Sequence, residues 1–257
     1  MNKIYCFSGT GNSLYVAKIV AESLDNCEIT AIKKDIPIDL SGQYERIGFV
    51  FPVYFWGLPV MVADFMQKVN LAGQSEAYFF AIATHGGFPG NGIPQVGSIL
   101  ADKGLKLNYG MAINMIGNAI TYYNLSAKAD SKIAKSEVRI LESANEILQK
   151  KVTKIKPPNR IVQPIYKKGI AKLRFIAAYF NVGDTCTKCG ICASLCPAKN
   201  IALISGKPAF GSKCESCVAC IQLCPQKAIN YKGKTHNRKR YKHPKVQLEE
   251  IMELYKS

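Results

Sequence analysis

Eight of the ten cysteines of this 257-residue chain fall between Cys186 and Cys224, and they fall there in one pattern used twice. The first half reads Cys186-Thr-Lys-Cys189-Gly-Ile-Cys192-Ala-Ser-Leu-Cys196-Pro197. The second reads Cys214-Glu-Ser-Cys217-Val-Ala-Cys220-Ile-Gln-Leu-Cys224-Pro225. Every cysteine recurs after 28 residues, as do the proline, a lysine (Lys199 and Lys227) and an isoleucine (Ile201 and Ile229). Such an internal repeat implies two similar half-sites about a pseudo-twofold. A segment this short has almost no apolar core, so whatever its sulfurs bind must drive its folding. A disulfide framework needs an oxidising compartment. After Met1-Asn2-Lys3 only Ile4 to Phe7 are apolar before Ser8, which is not a secretory signal. Clustered thiols in a cytoplasmic chain, the location expected here, point to metal.

The spacing selects among metals. A zinc ribbon pairs one C-x2-C with a distant second and leaves no role for a third close thiolate or for the repeated Cys-Pro. In C-x2-C-x2-C the chain winds round one cubane, and the fourth cysteine, followed by proline, serves the other cluster. The first [4Fe–4S] cluster is therefore expected on Cys186, Cys189, Cys192 and Cys224, and the second on Cys214, Cys217, Cys220 and Cys196. Residues 184–231 resemble a bacterial-type two-cluster ferredoxin, with both motifs complete.

The first 115 residues read differently. Short apolar runs (Lys3–Phe7, Glu28–Ile32, Ile47–Phe51, Tyr78–Ala83 and Leu107–Met115) alternate with helix-like segments at Asn12–Leu24, Val60–Val69 and Ile93–Lys103. This alternation predicts an α/β domain with an open, doubly wound, five-stranded parallel sheet covered on both faces. The longest helical pattern, Asp130–Val152, ends before Lys156-Pro157-Pro158. A basic amphipathic segment, Tyr166–Phe180, is expected to pack on the sheet domain as a connecting helix, a partner or membrane-surface helix being the alternative. The compact apolar stretch Ile47–Ala63 contains Pro52, Gly57 and Pro59 and does not read as a membrane span.

Between the first strand and first helix lies Ser8-Gly9-Thr10-Gly11-Asn12-Ser13. Leu14 replaces the last glycine of a dinucleotide fingerprint, and no lysine is present for a Walker A loop. What remains is a hydroxyl-rich turn at a helix N-terminus, suited to enclosing a phosphate with neutral dipoles. It resembles the phosphate loop of flavodoxins at every fixed position of S/T-x-T-G-N-S/T, which implies FMN. The resemblance implies a ring site in two further loops: Pro52-Val53-Tyr54-Phe55-Trp56-Gly57 after the third strand, and Thr84-His85-Gly86-Gly87-Phe88 after the fourth. Tyr54 or Trp56 is the expected stacking partner, with Phe88 on the other face and His85 nearby.

The flavodoxin resemblance covers about residues 1–150, and the order of the two parts resembles the EFR1-type flavodoxin–ferredoxin fusion family. The implied organisation is a flavodoxin-like FMN domain (1–155), a linker with a basic helix (156–183), a small α+β ferredoxin domain (184–231), and a basic tail with a short helix (232–257). One flavin and two clusters in one chain imply low-potential electron transfer to or from a redox partner, with no catalytic residues assigned. The alternative is a flavin-dependent reductase of a small molecule such as a quinone.

Charge sharpens the choice of partner. The formal net charge is +16. Residues 1–150 carry 13 basic and 13 acidic side chains, and residues 151–257 carry 21 and 5. Clusters and FMN phosphate bring negative charge and offset part of this excess. The remainder, including the run at 232–245, reads as a solvated or docking tail for an acidic redox partner. It leaves membrane-surface association open, and nucleic acid is disfavoured for want of a fold-level motif.

Overall fold

A computed structural model describes residues 1–40, 42–125 and 129–256. Five strands, β1 (Asn2–Cys6), β2 (Cys27–Ala31), β3 (Arg46–Pro52), β4 (Tyr78–His85) and β5 (Leu107–Asn114), form one sheet in the order β2-β1-β3-β4-β5. All four pairings are parallel. This is the strand order of flavodoxin-like sheets, whose switch point lies between β1 and β3. β3 and β4 are buried along almost their whole length. Both of their faces are covered, which is why they read as continuous apolar runs.

Helices α1 (Asn12–Glu22) and α4 (Ala129–Leu148) cover one face, where Val16 and Val20 meet Ile140, Ala144 and Ile147. Helices α2 (Val60–Lys68) and α3 (Gly92–Asp102) cover the other, where Val62, Phe65 and Met66 pack with Val96 and Leu100. The expected elements of the sheet are all present. The start of the predicted Asp130 helix adjoins residues 126–128, which lie outside the described set. That helix ends four residues early, because Lys150 turns left-handed (φ 52°) and the chain leaves the helical path.

The predicted helix Tyr166–Phe180 divides in two. Helix α5 spans Val162–Leu173 and is followed by a 3₁₀ turn, Ile176–Tyr179. α5 starts early because the Asn159 side chain accepts hydrogen bonds from the Ile161 and Val162 amides (2.9 and 3.2 Å), and Pro164 sits in the tolerated first turn. It docks on the sheet domain through Tyr166, Gly169 and Leu173.

The repeat then becomes geometry. Strand β6 (Phe180–Val182), helix α6 (Ile191–Ser194) and β7 (Ile201–Ile204) form one half; β8 (Lys207–Phe210), α7 (Ala219–Gln222) and β9 (Ile229–Tyr231) form the other. The halves interlock: β6 pairs antiparallel with β9, and β7 with β8. Left-handed residues recur 28 apart, as Lys188 and Ser216, Gly190 and Val218, and Lys199 and Lys227.

Residues 232–245 differ from the expected solvated or docking tail, while the short amphipathic helix expected at Val246–Tyr255 packs down as read. Thr235, Tyr241, His243 and Val246 are buried, and helix α8 (Leu248–Tyr255) packs Ile251 and Tyr255 against the α1 face of the sheet. The basic side chains of 232–245 alternate with these inward residues, so charge density hid a packed segment.

Gly48 tests the sheet packing. A Cβ there would stand 2.1 Å from the Phe80 ring, deep in the sheet. Gly48→Ala should cost about 1–3 kcal/mol of stability, read from denaturant unfolding.

Candidate cofactor site and cysteine cavities

The loop after β1 turns at Gly11, whose φ of 98° favours glycine, and hands the chain to α1. No side chain caps α1, and its first turn has no acidic residue. A buried, uncapped helix start leaves amide donors and a positive dipole end facing inward. Ser8, Thr10 and Ser13 are buried beside it. The Ser8 hydroxyl accepts from the Gly11 amide (3.2 Å), and the Ser13 and Thr84 hydroxyls share a bond (2.9 Å). The Asn118 amide donates to the Thr10 hydroxyl, while the Asn12 amide donates to the Ile116 carbonyl (3.1 Å).

A cavity of about 90 Å³ lies at this loop, lined by Ser8, Gly9, Thr10, Asn12, Ser13 and Thr84, among others including Pro52 and Val53. It abuts an open cavity of about 480 Å³ lined by Tyr54, Trp56, Gly87 and Phe88. Val53, His85 and Gly86 line both. Gly11 and Gly57 stand elsewhere. A Cβ on Gly11 would meet His243 and Val246, and one on Gly57 would meet the Tyr166 ring. These two glycines make room for the tail and for α5 rather than for a ligand.

The loop after β3 has a geometry its composition does not show. Tyr54 and Gly57 exchange backbone hydrogen bonds (2.9 and 3.1 Å) around Phe55 and Trp56, which both have positive φ (46° and 70°). Bulky residues rarely adopt that region, and each such position costs on the order of 1–3 kcal/mol. The turn sets Trp56 at the cavity mouth, edge-on to Phe88 (6.1 Å), with both rings well exposed. Phe55 packs over Gly169 of α5 instead. Tyr54 lies deeper, and burial, reinforced by the Cys217 thiolate, pushes its hydroxyl pKa well up. His85 keeps a buried Nδ1 without a partner, and burial lowers its pKa.

Sequence reasoning missed three contributors. The loop after β5 supplies Ile116, Gly117 and Asn118, and Tyr123 follows. Its place at the carboxyl end of a strand was the available signal. The linker supplies Leu173 and Ile176. The tail holds the phosphate-type loop from behind. Tyr255 Oη accepts from the Ser8 amide (2.8 Å) and donates to its carbonyl (2.9 Å), and the His243 amide donates to the Thr10 carbonyl (2.8 Å). Tyr241 Oη donates to Asn12 Oδ1 (2.7 Å).

The eight cysteines gather as two sets of four. Cys186, Cys189, Cys192 and Cys224 line one small cavity, and Cys196, Cys214, Cys217 and Cys220 line another. This is the crossed grouping expected from the spacing. All ten cysteines are free thiols. Among the described residues, no group of three or more His, Cys, Asp or Glu closes around a single ion. Burial raises the thiol pKa of Cys196, takes those of Cys192 and Cys214 to about 11, and raises those of Cys217 and Cys220 further. Backbone amides counter this: Asn200 N–H donates to Cys196 Sγ (3.2 Å) and Ser216 N–H to Cys214 Sγ (3.4 Å). Four thiols crowded together and aimed at one void carry charge favourably only with a compensating cationic centre.

The two kinds of site touch. Cys217 lines its cysteine cavity and both cavities at the β1 and β3 loops. A Cβ on Gly9 would lie 2.4 Å from the Cys217 carbonyl oxygen.

Similar architecture occurs in solved structures. A Desulfovibrio gigas rubredoxin oxygen:oxidoreductase aligns at 14% identity (TM-score 0.37), over 56% of this chain and 36% of that one. Megasphaera elsdenii flavodoxin, in its two-electron reduced state, aligns at 15% (0.37), over 54% and 99%. A Bacillus anthracis FMN-dependent NADH-azoreductase in complex with FMN aligns at 12% (0.35), over 58% and 100%. This chain therefore spans little more than a third of the length of the oxidoreductase. No family model and no curated protein matches the chain. Among the described residues no helix is long and apolar enough to cross a membrane.

Two substitutions test the site's construction. Gly9→Ala should push the first loop off Cys217 and cost about 1–3 kcal/mol in unfolding experiments. His243, stacked on Tyr15 (4.4 Å), is buried with its Nε2 unpartnered, and burial lowers its pKa to about 4. Glu137 acts to raise that pKa, and Lys245 and Lys242 to lower it further. A neutral His243 stabilises the fold fully above its ordinary pKa of about 6.5, and the stability drains away as pH falls from there through 4. The unfolding midpoint of the wild type should drop between pH 7 and pH 5 more than that of His243→Phe.

Proposed function

We propose that the chain is an electron-transfer protein that holds FMN and two [4Fe–4S] clusters in one body and passes low-potential electrons to or from a redox partner. The observation that carries this reading is the position of Cys217, which walls both the flavin-type cavity and one four-cysteine cavity. When bound, the flavin exchanges one or two electrons and each cluster one, which lets a single chain couple both kinds of transfer.

The chain's own residues supply the rest. The amides at the start of α1, with the Ser8, Thr10 and Ser13 hydroxyls, would hold the FMN phosphate without a cation. Trp56, Tyr54 and Phe88 would supply aromatic surface to the ring, and Gly86 and Gly87 would let it approach the backbone. Cys186, Cys189, Cys192 and Cys224 would hold one cluster; Cys196, Cys214, Cys217 and Cys220 would hold the other. The Asn200 and Ser216 amides already donate to sulfur, as cluster sites require for tuning. A single tetrahedral zinc fits less well, since no described trio converges on one ion.

The partner proposed is a protein with an acidic docking surface. Residues 147–183 carry nine Lys or Arg and no Asp or Glu. The α5 end of this stretch borders the open cavity through Leu173 and Ile176, while Lys150 and Lys151 lie at the amino ends of β3 and β4. One observation favours the second reading, a flavin-dependent reductase of a small molecule such as a quinone: exposed Trp56, Phe88, Tyr122 and Tyr123 surround that cavity.

Anaerobic purification with iron, sulfide and flavin analysis tests the proposal. About eight irons and one FMN per chain are expected. Cys196→Ala and Cys224→Ala should each lose about four irons while the flavin stays. Zinc, or four irons in the wild type, would overturn the assignment.

A further inference from the structure

Arg240 is a charged side chain of the basic tail drawn in beside the strand that follows the last cysteine. Its Nη2 donates to Asn230 Oδ1 (2.8 Å) and to the Ile229 carbonyl (3.2 Å), with a longer contact to the Lys227 carbonyl (3.4 Å). These bonds fix the guanidinium beside β9, on the chain that leaves Cys224. The next residue ties in the other half, since the Tyr241 amide donates to Gln222 of α7, the helix that contains Cys220 (2.8 Å). Nε and Nη1 are buried and have no protein partner. Three N–H donors on a charged group are therefore withdrawn from water and unused, an arrangement that persists in folded proteins when something else accepts from them. Burial lowers the guanidinium pKa, and the Cys224 and then the Cys220 side chains act against that. These two cysteines belong to different sets of four.

We propose that Arg240 is a positioning residue shared by the two cluster sites, donating from Nε and Nη1 to cluster sulfur and holding both reduction potentials up with one fixed positive charge. The proposal rests on the cluster reading above. Sulfur hydrogen bonds and nearby charge are established levers on such potentials. Each one-electron reduction adds one negative charge and breaks no bond; Arg240 keeps its proton throughout, so it acts by charge and direction alone. The guanidinium is bonded to the chain that leaves Cys224, and the adjoining Tyr241 to the helix of Cys220, one cysteine from each set, so its removal must be felt by both centres, and more by the one that includes Cys224.

The test is an anaerobic redox titration of the full-length loaded protein, with dithionite as reductant and optical and electron paramagnetic resonance readouts. Arg240→Gln should retain about eight irons and shift the oxidised-to-reduced ratio of the Cys224 centre about tenfold toward oxidised at fixed ambient potential, about 59 mV for one electron. The other centre should move the same way by less. Arg240→Lys, which keeps charge but loses the fork, should move partway. Lys239→Gln, an exposed neighbour, should move neither. Full iron with unmoved potentials in Arg240→Gln overturns the proposal, as does an equal shift in Lys239→Gln. Where Arg240→Gln loads no iron, wild-type potentials in Arg240→Lys overturn it. A wild type without iron sinks the cluster reading itself, a different result.

Discussion

The structure depends on the contact between Gly9 and the backbone of Cys217. There the turn that follows β1 meets the second cysteine motif with no side chain between them. Two elements that could each be a separate small protein are thereby made one. The contact needs glycine on one side and a left-handed turn on the other, which Ser216 and Val218 provide. It also brings Cys217 into packing with apolar residues of both sheet faces. Tyr255 reaches the same place from the far end of the chain, gripping Ser8 by both amide and carbonyl. Three distant segments thus converge where the sheet's strand order reverses, the position at which doubly wound sheets bind ligands.

What was legible in the sequence follows from how locally each feature is determined. β3 and β4 are apolar on both faces and could be read directly. The cysteine grouping was legible because a 28-residue repeat constrains both halves at once. The start of α5 at Val162 was not, because it depends on Asn159 bonding the Ile161 and Val162 amides from outside the periodic segment. The Phe55–Trp56 turn was opaque for a similar reason: nothing in two aromatics announces positive φ, and only the Tyr54–Gly57 pairing and the packing on Gly169 and Gly90 enforce it. The tail was misread because its lysines and arginines outnumber the four buried residues that decide its path.

That misreading changes the meaning of the charge. A run of cations normally reports a solvated face. Here Lys242 and Lys245 line the outside of a strap whose inner side holds Tyr241 and His243 against the first loop. Arg240 turns inward beside β9, and Arg238 donates to the Ile120 carbonyl. Further cations lie in the acid-free stretch of 147–183, whose α5 end borders the open cavity. Docking of an acidic partner is therefore better sought at α5 than at the chain's end.

The repeat is symmetric in sequence but not in surroundings. Position 190 is glycine and its counterpart 218 is valine, although both are left-handed. A β-branched residue in that conformation is strained, and the strain is retained where Val218 fills the wall between a cysteine cavity and the aromatic cavity. In the first half Cys189 is exposed, whereas in the second Cys217 is half-buried against the sheet domain and Cys220 is buried. Two clusters held, as proposed, by the same ligands but with different burial and different amide donors would not share one potential. On the proposed reading, the buried site faces the flavin, so docking on the sheet domain gives a duplicated motif its direction.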